Sequence, residues 1–288
     1  MTAQNTRLGI LLMVGAFLCY TIQDGISRHL AGEYTVYQTI MIRYWFFAVF
    51  VLGLALMRPE GLRRAVTTRR AGLLTLRSVL HISEILLIVA SFTLIGLINT
   101  HAIFAVCPLL VAAMSGPILG EKVGLMRWIA IGAGFCGILV ILQPGSDLFT
   151  PLAILPLLSA LLFAAYSVLT RLATRDEPSF VAFFWAGMLG CLFTTAIGIW
   201  FWQPMTREDW GWTVANGLVA ILANWLMIWG YAKAEANVIQ PFAYLQLVFV
   251  TIMGVTIFAE PLQTETLIGA VIVVASGLLT LVRLPSRT

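Results

Sequence analysis

Charge is what this 288-residue chain has least of: only 10% of its residues are Asp, Glu, Lys or Arg, against about 25% in an ordinary soluble domain. Long polar stretches are missing as well, so no soluble domain is expected beside the apolar part. Cysteine is scarce. Cys19, Cys107, Cys136 and Cys191 all fall in apolar runs, without metal-ligand spacing or water-exposed pairing. That excludes a zinc ribbon and a disulfide scaffold and leaves them as small packing residues. The chain also lacks a His-Glu-x-x-His pair, a Gly-x-Gly-Asp motif and a phosphate loop, so neither an enzyme nor a cofactor or metal site is expected. The first apolar run is too long for a signal-peptide core and has no small-residue cleavage site, so it reads as a span.

What is abundant is hydrophobicity: 60% of the residues are apolar and the mean hydropathy is +0.95. Runs of the length that crosses a bilayer, about 20 residues, recur throughout. Ten are placed at 8–29, 35–57, 72–94, 97–119, 125–142, 152–173, 179–202, 211–232, 236–258 and 264–282. The expected fold class is an all-α integral membrane protein with ten transmembrane helices. Basic residues orient it. With a cytoplasmic N-terminus, thirteen Lys and Arg fall on the inner side and only Arg28 and Arg207 on the outer, which puts both termini in the cytoplasm. The net charge of +4 and the pI near 9.0 follow from that orientation and call for no nucleic-acid partner. The lipid bilayer is the expected partner, and "RPEGLRRAVTTRR" could meet anionic headgroups.

The chain repeats itself. "FAVCPLLVAAMSGPILGEKVG" (104–124) corresponds to "FAYLQLVFVTIMGVTIFAEPLQ" (242–263), and "GAFLCYTIQDGISRHL" to "SALLFAAYSVLTRLA". Two five-helix units, 1–145 and 146–288, are therefore expected. Five is odd, so the second enters the membrane from the opposite side, the inverted arrangement that suits alternating access around a central cavity near the bilayer midplane. This favours a carrier over a channel. Gly132, Gly134, Gly137, Gly269, Ser276 and Gly277 are expected to let spans five and ten approach closely. Pro108, Pro117 and Pro241 interrupt helix hydrogen bonding at depth, tolerated next to a cavity or good packing. Glu121 and Glu260 end corresponding spans as anchors that meet water or cap neighbouring backbone.

Ionisable residues inside spans cost roughly 2.5–3.5 kcal/mol each on insertion scales and so mark protein or water contacts. They are Asp24, Arg43, Arg77, His81, Glu84 and His101. In "RSVLHISE", Arg77, His81 and Glu84 stand at i, i+4 and i+7, on one helix face. Arg77 is expected to snorkel to the cytoplasmic interface. The His81–Glu84 pair could hold a mobile proton, present a carboxylate to a cationic substrate, or bond a neighbouring helix. An Asp24–Arg43 ion pair is the expected way to lower the burial cost of both. Asn99, Asn224, Gln240, Tyr244 and Gln246 add polar groups at depth, and abundant aromatics such as Phe104, Phe163, Tyr166 and Trp229 either pack or line a cavity suited to a flat or cationic ligand.

These features resemble the drug/metabolite transporter superfamily, in its EamA-type ten-helix family. The likeness spans the chain and rests on "QDGISRHL", Arg43, "CPLLVAAMSGPILGEKVGLMRWIAIGAGFCGILVILQP" and "QPFAYLQLVFVTIMGVTIFAEPLQTETLIGAVIVVASGLL". Within that family the pattern of Asp24, Arg43, Arg77 and "PFAYLQ" is most similar to bacterial carriers of S-adenosylmethionine or riboflavin. The resemblance implies a secondary carrier of a small organic metabolite in the bacterial inner membrane. Aromatic amino-acid or cationic drug export, and a receptor or scaffold that does not transport, are the alternatives. Asp24, His81, Glu84, His101, Tyr244 and Gln246 are the candidates for substrate binding or proton coupling, with Arg43 and Arg77 for helix pairing or gating. His81, Glu84 and His101 depart from the small residues that the family leads one to expect there.

Overall fold

The computed structural model describes residues 6–59, 61–120, 124–143, 150–173, 177–233 and 240–279. Regular structure among them is helical throughout, as a lipid environment requires: an apolar backbone segment must satisfy its own N–H and C=O groups. In order, the helices are α1 (Thr6–Glu33), α2 (Val36–Met57), the short α3 (Gly61–Val66), α4 (Ala71–Leu94), α5 (Leu97–Phe104), α6 (Cys107–Leu119), α7 (Leu125–Leu142), α8 (Ile154–Ala173), α9 (Ser179–Gly198), α10 (Arg207–Lys233), α11 (Tyr244–Thr256) and α12 (Thr264–Leu279). Each of the ten apolar runs is mostly helical over its described residues. Six helical segments have the length and apolarity of a full crossing; the apolar helices Trp128–Leu142, Tyr244–Thr256 and Thr264–Leu278 are shorter.

Two runs are broken, and at corresponding places. The fourth splits between Phe104 and Cys107, with Pro108 in the first turn of the new helix. The ninth begins with a 3-10 turn, Gln240–Ala243, before α11. Interrupted helices in matching positions of two halves are where carriers of this architecture build their sites.

Helix packing shows the same internal symmetry. The most extensive pairings are α1 with α10, α7 with α12, α4 with α8 and α2 with α9. Exchanging the first helix of one half for the first helix of the other turns the α1–α10 pair into the α8–α4 pair, and leaves α2–α9 and α7–α12 as pairs across the axis. Two of the expected glycines make the α7–α12 contact: a Cβ on Gly137 would lie 2.9 Å from the carbonyl oxygen of Gly269, and one on Gly269 would lie 2.6 Å from that of Gly137, whereas Gly132 faces open space and Gly134 and Gly277 lie nearest to Leu109 and Tyr244. Without a hydrophobic driving force between helices, such close backbone approach supplies the packing.

Polar groups tie the ends of the bundle. At the end away from the basic loops, Glu260 accepts the N–H groups of Leu97 (2.6 Å) and Ile98 (2.8 Å) and pairs with Arg28, whose guanidinium also lies 4.1 Å over the Phe258 ring. The capped residue, Gly96, has φ +87° and no side chain of its own to cap α5; a Cβ there would sit 3.0 Å from the carboxylate. Glu260 thus caps neighbouring backbone, one of its two expected roles. Glu121 lies outside the described residues. At the same end the Tyr34 hydroxyl donates to Asp209 (2.7 Å) and Gln38 exchanges two bonds with the backbone of Gln203. At the basic end, Glu177 accepts from the Thr68 hydroxyl (2.7 Å) and the Arg69 N–H (2.9 Å).

Candidate functional site

The charged stripe of α4 meets a matching stripe on α8. Ser159, Phe163, Tyr166 and Thr170 are spaced four, three and four apart, which aligns them on one face. The two helices run antiparallel, so the stripes meet residue by residue. Arg77 donates to the Thr170 hydroxyl (3.3 Å) and to the carbonyl of Ala182 on α9. The His81 ring lies parallel to Tyr166, centroids 4.3 Å apart and planes at 9°. Ser159 donates to a Glu84 carboxylate oxygen (3.3 Å), whose other oxygen is 3.3 Å from His81 Nδ1. That last contact has ion-pair distance but lacks hydrogen-bond alignment, so Nδ1 is buried without a directed partner.

Burial corrects the expectation for Arg77. The residue is 3% exposed and does not snorkel. Its guanidinium binds α8 and α9 and lies 5.3 Å from the centre of the Tyr166 ring. The reason is local: two acceptors stand within its reach inside the bundle, and charge-assisted bonds of this kind offset the loss of water.

A second imidazole–carboxylate pair stands elsewhere in the bundle. Asp24 of α1 is 3.2 Å from His101 Nε2 of α5 and accepts from the Gln246 amide of α11 (3.2 Å). The expected Asp24–Arg43 pair is not formed. Among the described residues no carboxylate comes within ion-pair distance of Arg43, which is buried with its guanidinium 6.0 Å from the Tyr44 ring. Asp24 lies instead between α5 and α11, so His101 and Gln246, from the two interrupted spans, reach it first.

Aromatic rings connect the two pairs. His101 stacks on Phe92 (5.4 Å) and meets Phe104 edge-on (6.3 Å); Phe104 meets Phe163 (5.7 Å), and Phe163 meets both Tyr166 (5.7 Å) and His81 (6.4 Å). Five of the six expected binding or coupling residues, Asp24, His81, Glu84, His101 and Gln246, therefore belong to two linked clusters. Tyr244 does not join them. It is buried against Gly277 of α12, where a Cβ would overlap its hydroxyl. Its place is in the packing of α11 on α12.

Sequence reasoning names Phe163 and Tyr166 only among the aromatics that pack or line a cavity, misses Ser159 and Thr170, and sets none of them against α4. The 4-3-4 spacing of Ser159, Phe163, Tyr166 and Thr170 is a legible signal, but a stripe of one serine, two aromatics and one threonine looks like any packed face until a charged stripe is set against it. A hollow of about 240 Å³ bounded by Phe50, Leu54, Leu218, Ile221, Leu222 and Trp225 lies elsewhere, between α2 and α10. Its wholly apolar lining suits hydrocarbon and not a polar metabolite. Among the described residues no cluster of His, Cys, Asp and Glu could hold a metal ion.

Known proteins share this organisation. The pattern of the EamA-like transporter family matches the chain twice, at residues 7–143 and 150–282. A riboflavin transporter of Vibrio cholerae serotype O1 is 27% identical over 271 residues, 93% of this chain and 91% of that protein. An S-adenosylmethionine uptake transporter of Rickettsia prowazekii is 20% identical over 270 residues, 94% of this chain and 91% of that protein. A solved crystal structure superposes with a TM-score of 0.64 at 14% identity, covering 94% of this chain and 95% of its own, which shows a shared fold.

Proposed function

The chain belongs to the EamA-like transporter family, and we propose that it is a secondary carrier moving a small, flat organic metabolite across the bacterial inner membrane by alternating access, with riboflavin the first candidate. The relatives named as riboflavin and S-adenosylmethionine transporters support a small-metabolite carrier and no enzymatic role. The observation that carries the choice of substrate class is the His81–Tyr166 stack beside Glu84 in the interior of the bundle. It offers flat ring faces together with a buried carboxylate, the combination a heteroaromatic ring with polar edges requires.

In this reading residues 1–145 and 146–288 are the inverted halves, and both termini face the cytoplasm. Asp24, His101 and Gln246 bind or couple from one side of the cavity and His81 and Glu84 from the other, while Arg43 and Arg77 pair helices. Each imidazole–carboxylate pair is a candidate coupling site. The two carboxylates also favour a second substrate, S-adenosylmethionine, whose sulfonium is a cation.

Counterflow in proteoliposomes tests the proposal. Vesicles preloaded with unlabelled riboflavin should accumulate labelled riboflavin, and Glu84→Gln should slow the exchange and alter its pH dependence. Accumulation of labelled S-adenosylmethionine alone would replace riboflavin as substrate. Binding without accumulation of either would mean a receptor.

A further inference from the structure

The two halves of the bundle differ at the level that holds Tyr166. The α4–α8 and α1–α10 interfaces begin with equivalent polar contacts: Arg77 to the Thr170 hydroxyl at 3.3 Å, and Asn216 to the Ser27 hydroxyl at 3.2 Å. Moving four and seven residues along α4 from Arg77 reaches His81 and Glu84; the same steps along α10 from Asn216 reach Ala220 and Ala223. Moving four residues back from Thr170 reaches Tyr166, and from Ser27 reaches Gln23. The ring-on-ring contact therefore has no counterpart across the symmetry axis.

Accessibility points the same way. Tyr166 and Phe163 are only partly buried, and the His81 side chain is 25% exposed. On α4 the exposed apolar residues Leu76 and Val79 lie about 140° and 160° around the helix from His81 at 3.6 residues per turn. On α8 Ile154 and Leu161 lie about 120° and 140° from Tyr166, and Leu158 about 80°. His81 therefore stands away from the exposed apolar residues Leu76 and Val79 of its own helix.

His81 is held loosely. Its nearest polar neighbour, Glu84, is not aligned with its ring nitrogen, and its main contact is the face of Tyr166. Tyr166, by contrast, has an anchored neighbour: Arg77 lies 5.3 Å from its ring centre and is itself held on Thr170 and Ala182. Thr170 donates its own proton to the Tyr166 carbonyl (2.7 Å), which leaves its oxygen lone pairs to Arg77.

We propose that Tyr166 is the specificity-determining residue of the carrier: the substrate's flat ring lies on its face in the place the His81 ring occupies here, and displaces His81 toward Glu84. Arg77 is the positioning residue that holds the platform still. This deepens the riboflavin reading and rests on it. It assigns the two stripe residues different tasks, since His81 responds to the bound ring while Tyr166 touches it.

Binding of riboflavin to the purified full-length protein, followed by quenching of the flavin's own fluorescence, separates the possibilities. Tyr166→Phe keeps a ring and should bind within about twofold of the parent, whereas Tyr166→Leu should bind about tenfold more weakly, the size of a lost ring stack. His81→Ala removes the competing ring and should bind as tightly as the parent or more so, yet exchange more slowly in vesicles. If the parent binds riboflavin and Tyr166→Leu binds it equally well, the platform is elsewhere and the proposal fails while the riboflavin reading stands. If His81→Ala weakens binding about tenfold, His81 is a contact and not an occupant, which also overturns it; that arm decides alone should Tyr166→Leu not fold. A parent protein that neither binds nor exchanges riboflavin removes the reading on which the proposal rests.

Discussion

The glycine contact between α7 and α12 allows a quantitative test of how the bundle is packed. Carbon and carbonyl oxygen normally approach no closer than about 3.3–3.6 Å. An alanine at Gly137 would bring Cβ to 2.9 Å from the Gly269 carbonyl, and an alanine at Gly269 would bring it to 2.6 Å from that of Gly137. Both obstacles are backbone, which no rotamer change removes, so the helices must separate by roughly 0.5–1 Å. A gap of that size forfeits about a quarter to a half of each contact's dispersion energy, and overpacking typically costs about 1–3 kcal/mol. Each single substitution should therefore destabilise by about that amount. The double variant should not cost twice as much, because one separation accommodates both methyl groups; the interaction in a double-mutant cycle should be about 1–2 kcal/mol. Gly134→Ala is the control. The atom in its way is the terminal methyl of Leu109, the far end of a flexible side chain, and the next neighbours beyond Leu109 are at ordinary distance, so its cost should stay below about 1 kcal/mol. Reversible unfolding in mixed detergent micelles measures all four variants against the parent. Additive effects of the Gly137 and Gly269 variants, or a Gly134 variant as damaging as either, would refute backbone contact as the basis of the pairing.

Three further outcomes follow from other contacts. Gly96→Ala should destabilise by at least about 1 kcal/mol, because φ +87° disfavours a side chain and its Cβ would press on Glu260; thermal melting checks this, and an unchanged melting temperature would contradict the capping geometry. Glu177 is held below its ordinary value of 4.5, first by the Thr68 hydroxyl and then by the Arg69 N–H. A depressed carboxylate stabilises the fold above its unfolded value and loses that contribution as pH falls through the folded one, so melting between about pH 6 and 3 should decline less steeply for Glu177→Gln than for the parent. Asp24→Asn and His101→Ala should each lower riboflavin exchange by about tenfold or more, and the double variant should be no worse than either single one if the pair acts as a unit; independent losses in counterflow would mean separate roles.

Part of the candidate site is legible in the amino-acid sequence, and the residues show why. Asp24, His81, Glu84 and His101 stand out because ionisable groups in lipid-length apolar runs are costly wherever the chain folds, an argument that needs no partner. The partners themselves are not legible. Asp24 and Arg43 lie on successive helices and look like a pair, yet Asp24 meets His101 and Gln246. Nothing in linear order reveals that the two interrupted spans bring His101 and Gln246 to α1. Arg77 looks like an interfacial residue because it stands near a helix end, and only the arrival of Thr170 and Ala182 beside it makes burial tolerable. Tyr244, promising beside Gln246, faces α12 because it is two residues away and a helix turns about 200° over that step.

Linear order alone is enough to set the solvent, the secondary structure and the internal repeat. Ten apolar runs with 10% charge can live only in a bilayer, a bilayer leaves the backbone no partner but itself, and the correspondence of the two halves is written residue against residue. Which polar groups face one another was left to the packing of the helices in space, because those contacts depend on helix rotation and register, and a rotation of one residue moves a side chain through about 100°. The same packing shows where the repeat is broken: the His81–Tyr166 stack stands on one side, with Ala220 and Gln23 at the equivalent level of the other.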